Sequence, residues 1–393
     1  MKARKTALVV GLVAMAAALV ACGDDDDDGD GAAPDETTAE TTGDTTGDTT
    51  GGGGDAECPS TLTIQTDWFP ELEHGGTYQL IGTEGEISKD NVNYSGPVQE
   101  QYAVPGLETI VINTVKFDKA DSAILLDGEA DMAYINMSDV IKDSAAVDMV
   151  VVAKTLELDP QMVMWDPAQF DITKPEDIAA TGAPVLHFPG TAYIDYMTGK
   201  GYMTADQDDP TYDGSDAKFV SSNGGVFQQG FATNEVYKYE NEIAWKDGAP
   251  APVEYYTVGQ MGFNNYAATL AMMKDRVAEL DGCLTALIPK MQQAWIDFVN
   301  DPQPIMDKMI EINQVHDGFW GLSPEVNAAG FELLTTGGFV DNSMDGTYCS
   351  IDPARVQELY DILKPIYDDQ GVEITDDPTS IYTNKYCEGA PGM

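Results

Sequence analysis

The chain has 393 residues, enough for two ordinary domains or one two-lobed domain with a sizeable core in each lobe, and 43% of them are hydrophobic. Its formal net charge is −47, and the first 57 residues, with three basic and 13 acidic side chains, hold only ten of those charges. An excess of 37 on the folded part repels nucleic acid and anionic lipid headgroups and excludes both as partners; it suits saline surroundings, where counter-ions screen it.

Residues 1–22 stand apart: Lys2, Arg4 and Lys5 make a basic start, Thr6 to Val20 is apolar, and Leu19-Val20-Ala21-Cys22 follows. This is a secretory leader, and its end resembles a bacterial lipobox, in which the cysteine is lipidated and becomes the mature N-terminus. Val20 stands where such a motif more often has Ala or Ser. Residues 23–57 are Asp, Thr, Gly and Glu with almost nothing apolar, so they form a disordered acidic tether. Cys22 is thus the expected lipidation site, and the folded part is expected to be leashed to the outer face of the cell membrane.

Leu62 to Thr66 alternates as a strand and leads into T-D-W-F-P-E-L-E-H-G-G-T-Y, Thr66 to Tyr78. Pro70 and the pair Gly75-Gly76 are expected to break the strand and display Trp68, Phe69, His74 and Tyr78 on a loop at its C-terminal end, where ligands sit in α/β proteins. The next stretch reads as a turn-rich hairpin. Glu108 to Asn113 is a strand, Ser122 to Asp127 a helix ending at Gly128, and Met132 to Ile135 a short buried strand that delivers Asn136 and Ser138 ahead of a helix near Asp139.

Met149 to Thr155 and Gln161 to Trp165 are further strands with a hinge between them. Pro184 to Phe188 is a strand followed by Pro189-Gly190-Thr191 and a helix, a turn that offers backbone N–H groups and a hydroxyl to a polar ligand; a plain helix cap is the alternative use of Thr191. A helix over Gly225 to Gln229 is expected before a short strand ending at Thr233-Asn234-Glu235. Val253 to Thr257 is expected to be the second crossing, and Tyr266 to Lys274 another crossing or an edge strand. From Val277 to Gln314 apolar residues recur at helical spacing, which makes Trp295 a core residue.

The order of elements predicts an α/β fold of two lobes joined by two crossings with a ligand cleft between them, the class II type of periplasmic-binding-protein fold. Lobe 1 is expected to comprise residues 58–158 and 253–393, and lobe 2 residues 159–252. Besides Cys22, the five cysteines include Cys58, Cys283, Cys349 and Cys387, without metal or redox spacing. Two disulfides fit an exported chain. Of three connectivities, Cys58–Cys387, tying the ends together, with Cys283–Cys349 is preferred, although spacing does not select it.

From about Thr61 to Asn300 the chain resembles the thiamine-precursor branch of ABC-importer solute-binding proteins. The resemblance rests on D-W-F-P-E-L-E-H-G-G-T-Y, G-E-A-D-M-A-Y-I-N-M-S-D, M-V-M-W-D, P-G-T before a helix, and F-A-T-N-E-V-Y, in that order. It implies a monomeric lipoprotein that captures a thiamine-pyrimidine-like or riboflavin-like heterocycle by lobe closure and delivers it to a permease. Trp68 or Tyr78 would stack on the ring and His74 bond its edge, with Asn136, Trp165, Gly190, Thr191, Asn234 and Glu235 completing the site. No cofactor, metal or catalytic residue is expected. Pyrimidine synthases of this fold carry a cysteine cluster that this chain lacks, which leaves a cell-surface enzyme acting on a related heterocycle as the alternative.

Overall fold

A computed structural model describes residues 57–115, 119–318 and 321–393. The leader, Cys22 and nearly all of the tether lie outside the described residues. Among the described residues twelve strands follow one another: β1 Thr61–Gln65, β2 Glu86–Ser88, β3 Asn93–Pro97, β4 Thr109–Asn113, β5 Met132–Ile135, β6 Met149–Ala153, β7 Gln161–Trp165, β8 Val185–Leu186, β9 Asp208–Asp209, β10 Phe227–Phe231, β11 Glu254–Thr257 and β12 Thr269–Met273. They form a seven-stranded sheet, β2-β3-β4-β1-β5-β12-β6, and a five-stranded sheet, β11-β7-β10-β8-β9. Within the first, β1 runs parallel to β4 and β5, and β12 returns antiparallel between β5 and β6. The expected hairpin after residue 82 is β2-β3, which extends this sheet by two strands.

The segments 154–160 and 258–268 join the two sheets. Arg355, on the helix Pro353–Gln370, ties both: its guanidinium donates to the carbonyls of Glu157 at 2.6 Å, Asn264 at 3.0 Å and Asn265, and lies 3.7 Å from the Tyr266 ring centroid. One cation thus neutralises the unpaired carbonyls of both crossings, where the chain has left one ladder and not yet joined the next.

Helices close both faces of the large sheet. On one face the helix Asp281–Asn300 buries Leu284, Leu287, Ile288, Met291, Trp295 and Phe298 against the helix Gly75–Ile81 and the strands below. Gly75-Gly76, expected to be a turn, instead opens that helix, and its lack of side chains has a packing cause. A Cβ on Gly75 would lie 2.2 Å from the Phe298 ring, and one on Gly76 2.2 Å from Trp295. His74 and Tyr78 accordingly leave the loop for helical turns, both 0% exposed.

Four more expectations are corrected. Residues 225–229 are not a helix; the helix is Ala217–Ser221, and Phe227–Phe231 pairs with β7 on one side and β8 on the other, so sheet pairing decides the local conformation. β11 pairs with β7, so the strand expected to begin the return to the first lobe completes the second sheet. Tyr266 to Lys274 contains β12, an interior strand of the first sheet and not an edge. The disulfides are Cys58–Cys283 and Cys349–Cys387, with Cα separations of 4.7 and 5.5 Å. Cys58 enters β1 under the first turn of the helix Asp281–Asn300, where Cys283 sits. The C-terminal segment lies along β6, where Tyr382 bridges Val151 and the Cys387 sulfur lies by Val152, so Cys387 meets Cys349 beside Lys154 and not the N-terminal cysteine.

Candidate functional site

A cavity of about 320 Å³ opens between the two sheets. The first sheet contributes Asp67, Trp68 and Glu71 from the segment after β1, Val115 after β4, Asp121 at the start of the helix Asp121–Leu126, and Asn136 after β5. The second contributes Gln161 at the start of β7, Phe188 and Thr191 after β8, Tyr212 after β9, Gln229 to Phe231 in β10, and Glu235 at the start of the helix Glu235–Asn241. A smaller cavity of about 50 Å³ adjoins it, sharing Asn136, Gln161, Thr191 and Phe231 and adding Asp139 and Asp159.

The two walls touch across the opening. The Trp68 and Phe188 rings meet edge to face with centroids 5.8 Å apart, and Phe188 in turn packs on Tyr212 at 4.9 Å. Thr233 Oγ1 donates to the buried Glu73 carboxylate, and Lys142 Nζ to the carbonyl of Gly190 at 3.4 Å. Asn136 ties β5 to the connecting segment 258–268, accepting from the Ala268 N–H at 3.1 Å. Gln229 sets the opposite wall: its Oε1 accepts from the Phe188 N–H at 2.6 Å and the Tyr193 hydroxyl at 3.0 Å, which leaves its amide nitrogen without a partner among the described residues.

The lining is acidic. Asp67, Glu71, Asp121 and Glu235 reach it, and among the described residues no lysine or arginine does. Burial raises the carboxyl of Glu71 well above its ordinary value, helped by the charges of Glu73, Asp67 and Glu235. Burial likewise pushes Asp121 up to about 8 and Glu235 to about 7, although the Phe231 N–H, 2.8 Å from Glu235 Oε2, works against the second shift. Asp139 and Asp159, in the adjoining cavity, rise to about 6, again through burial first. Gly230 makes room for Glu235: a Cβ there would lie 2.8 Å from its carboxyl carbon.

Of the residues expected to bind ligand, Trp68, Asn136, Thr191 and Glu235 line the cavity. His74 is not in the lining: its Nε2 is 2.7 Å from Asp67 Oδ1 and its ring packs against Tyr134, so it orients a lining carboxylate. Tyr78 is in the core between the sheet and the helix Asp281–Asn300, and Trp165 packs among Phe227 and Tyr256. Asn234 is buried beside the helix start, and Gly190 turns away with φ +80° beside Lys142. Asp67, Glu71, Asp121, Phe188, Tyr212 and Gln229 were missed. The first two flank Trp68 in the very stretch singled out for its aromatics, and Phe188 directly precedes the Pro-Gly-Thr turn, so position after a strand was a usable signal. Tyr212 sits in D-D-P-T-Y-D-G, which has no periodicity to read.

Asp67, Glu71 and His74 present ligand atoms within 4.8 Å of one another, a set that invites comparison with a metal centre. It does not fit one. A metal on Nε2 would leave the proton on Nδ1, and Nδ1 is buried with no acceptor, whereas metal-bound imidazoles pass that proton to a carbonyl or carboxylate. None of the three histidines lines the cavity.

No protein-family model matches the chain, and no curated protein matches it in sequence. Solved structures match it in fold. The periplasmic aliphatic sulphonate-binding protein SsuA from Escherichia coli is similar at 10% identity with a TM-score of 0.55, over 83% of this chain and 93% of that one. The periplasmic nitrate-binding protein NrtA from Synechocystis PCC 6803 is similar at 14% identity and 0.52, over 84% and 88%. The zinc-bound ligand-binding component of an ABC-type import system from Staphylococcus aureus is similar at 11% and 0.51, over 84% and 99%. The architecture is therefore that of the two-lobed periplasmic binding proteins. At these identities the likeness is one of fold, and the thiamine-precursor branch finds no support beyond the motifs themselves.

Proposed function

We propose that the protein is the extracytoplasmic solute-binding lipoprotein of an ABC importer. It captures a small heterocyclic nutrient between its lobes and delivers it to a permease, held to the membrane through Cys22 and acting as a monomer. The observation that carries this is the cavity between the two sheets, closed by the Trp68–Phe188 contact from opposite walls and reached by elements that follow strand ends in both. Two crossings pinned by one guanidinium supply a hinge. The fold shared with binding components of import systems supports the same reading.

At about 320 Å³ the cavity falls near the lower end of the range of small-molecule sites, roughly 300–1,000 Å³, so a single substituted ring suits it better than a flavin. The sulphonate and nitrate named for two neighbours are poor guides here, because an anion would meet four carboxylates and no cation among the described lining residues.

Native mass spectrometry of protein purified without refolding tests the proposal. A solute released on denaturation with its mass unchanged after prolonged incubation is expected, and turnover of that solute would overturn the receptor reading. Trp68→Ala should abolish the stabilisation that the solute confers while leaving the solute-free protein folded by circular dichroism. Unfolding of that variant would make Trp68 a core residue and remove it from the site.

A further inference from the structure

The charge of the cleft says what kind of solute it takes. Glu71 is 7% exposed, and its carboxylate has no hydrogen-bond partner among the described residues; His74 Nε2 lies 3.8 Å from one of its oxygens. Glu235 is 4% exposed, with one oxygen held by the Phe231 N–H. These two side chains stand on opposite lobes, and Asp67 and Asp121 add two more carboxylates to the same cavity. In a chain this acidic most carboxylates sit in water, where they cost little. The partners nearest these two, His74 beside Glu71 and Lys238 one turn along the helix from Glu235, do not line the cavity. Buried carboxylates that face a cavity with no cation in it are expensive, and glutamine or asparagine would fill the same space without that cost.

An independent feature comes from Gln229. It is 4% exposed, and two donors fix its oxygen, so its unpartnered amide nitrogen marks a position for an acceptor on the solute.

We infer that the solute is a small flat organic cation, an amidinium or ring ammonium bearing N–H donors, whose charge lies among Glu71, Asp121 and Glu235 and whose acceptor meets Gln229. This rests on the reading of the protein as a solute receptor. The cation also supplies the cause of closure. Without it Glu71 and Glu235 oppose each other across the cleft; with it both are attracted to one charge between them, so the closed form gains affinity that the open form lacks. The raised carboxyl values follow from the same arrangement and make binding release protons near neutral pH.

The test uses the full chain and three probes that share a ring and differ in charge: benzamidine, neutral benzamide and anionic benzoate, each followed by thermal shift and titration calorimetry at pH 8 and pH 5. The solute that purifies with the protein is identified alongside. Benzamidine is expected to bind at least tenfold tighter than the other two, to release protons, and to weaken severalfold at pH 5. Glu235→Gln should cost benzamidine about tenfold and leave benzamide unchanged. Benzoate or benzamide binding as well as benzamidine, or benzamidine binding indifferent to both pH and Glu235→Gln, overturns the cation while leaving the receptor standing. If no probe binds, a cationic co-purified solute supports the inference and a neutral or anionic one overturns it. No probe binding and no co-purified solute overturns both readings.

Discussion

Replacing Arg355 with methionine removes a cation that holds both interlobe crossings while keeping a similar unbranched stem in place. The guanidinium is mostly buried, its side chain 14% exposed, and it donates to the carbonyls of Glu157, Asn264 and Asn265 and lies over Tyr266. Hydrogen bonds to a charged group contribute about 1.5–3 kcal/mol each, and the ring contact about 0.5–2. Their sum is a ceiling, because a cavity of about 380 Å³ lined by Arg355, Asn264 and Asn265 admits water to the freed carbonyls. The expected net loss is about 2–4 kcal/mol, read from urea unfolding followed by tryptophan fluorescence. Arg355→Lys should recover less than half of it, since one ammonium cannot span three carbonyls on two segments. An unfolding free energy for Arg355→Met within about 1 kcal/mol of the parent would refute the idea that this side chain fastens the hinge.

Gly76→Ala should destabilise the protein by about 2 kcal/mol in the same assay, because overpacking against Trp295 outweighs a helix-propensity gain of about 1 kcal/mol; a stabilised variant would show that the two helices separate freely. Burial holds Asp121 near 8, Glu235 near 7 and Asp139 and Asp159 near 6, all above the range of an unfolded chain, about 4. The folded state therefore binds the extra protons, and the solute-free protein should melt at a higher temperature at pH 5 than at pH 8, with Glu235→Gln flattening the dependence. A melting temperature that falls from pH 8 to pH 5 would contradict the burial of these groups. Non-reducing peptide mapping should recover Cys58 with Cys283 and Cys349 with Cys387. By chain entropy, removing the bridge that spans 225 residues should cost about 1.6 kcal/mol more than removing the one that spans 38.

Most of the fold was legible because strand and helix periodicities alternate cleanly. β5, β6 and β7 lie where short apolar runs bounded by polar turns put them, and the long helix Asp281–Asn300 announces its buried face by spacing. The failures were those of context. Phe227–Phe231 carries no strand alternation that outweighs a helical reading, and becomes β10 because strands on both sides pair with it. Gly75-Gly76 has the composition of a turn, and only the rings of Phe298 and Trp295, more than 200 positions away in sequence, explain its place in a helix. The cysteine pairing depends on which strand edge the C-terminal segment follows, a tertiary fact that no spacing encodes.

The site was half legible for a related reason. Aromatic residues are scarce enough that Trp68 after β1 drew notice, whereas Asp67, Glu71 and Glu73 beside it were four-a-turn ordinary in a chain with 67 acidic residues. A carboxylate acquires meaning only through its surroundings, and within this one stretch three acquire different ones. Asp67 is oriented by His74, Glu71 reaches the cavity without a hydrogen-bond partner for its carboxylate among the described residues, and Glu73 accepts from Thr233 on the other lobe. Glu73 therefore ties the two walls together through Thr233, while Glu71 and Glu235 bring like charges to the same cavity from opposite walls. On the proposed receptor reading, these two opposed contacts within a few residues would set the balance between open and closed states locally. A single positive charge placed between Glu71 and Glu235 reverses the repulsive half and leaves the attractive half intact, which is what a receptor that closes on its solute requires.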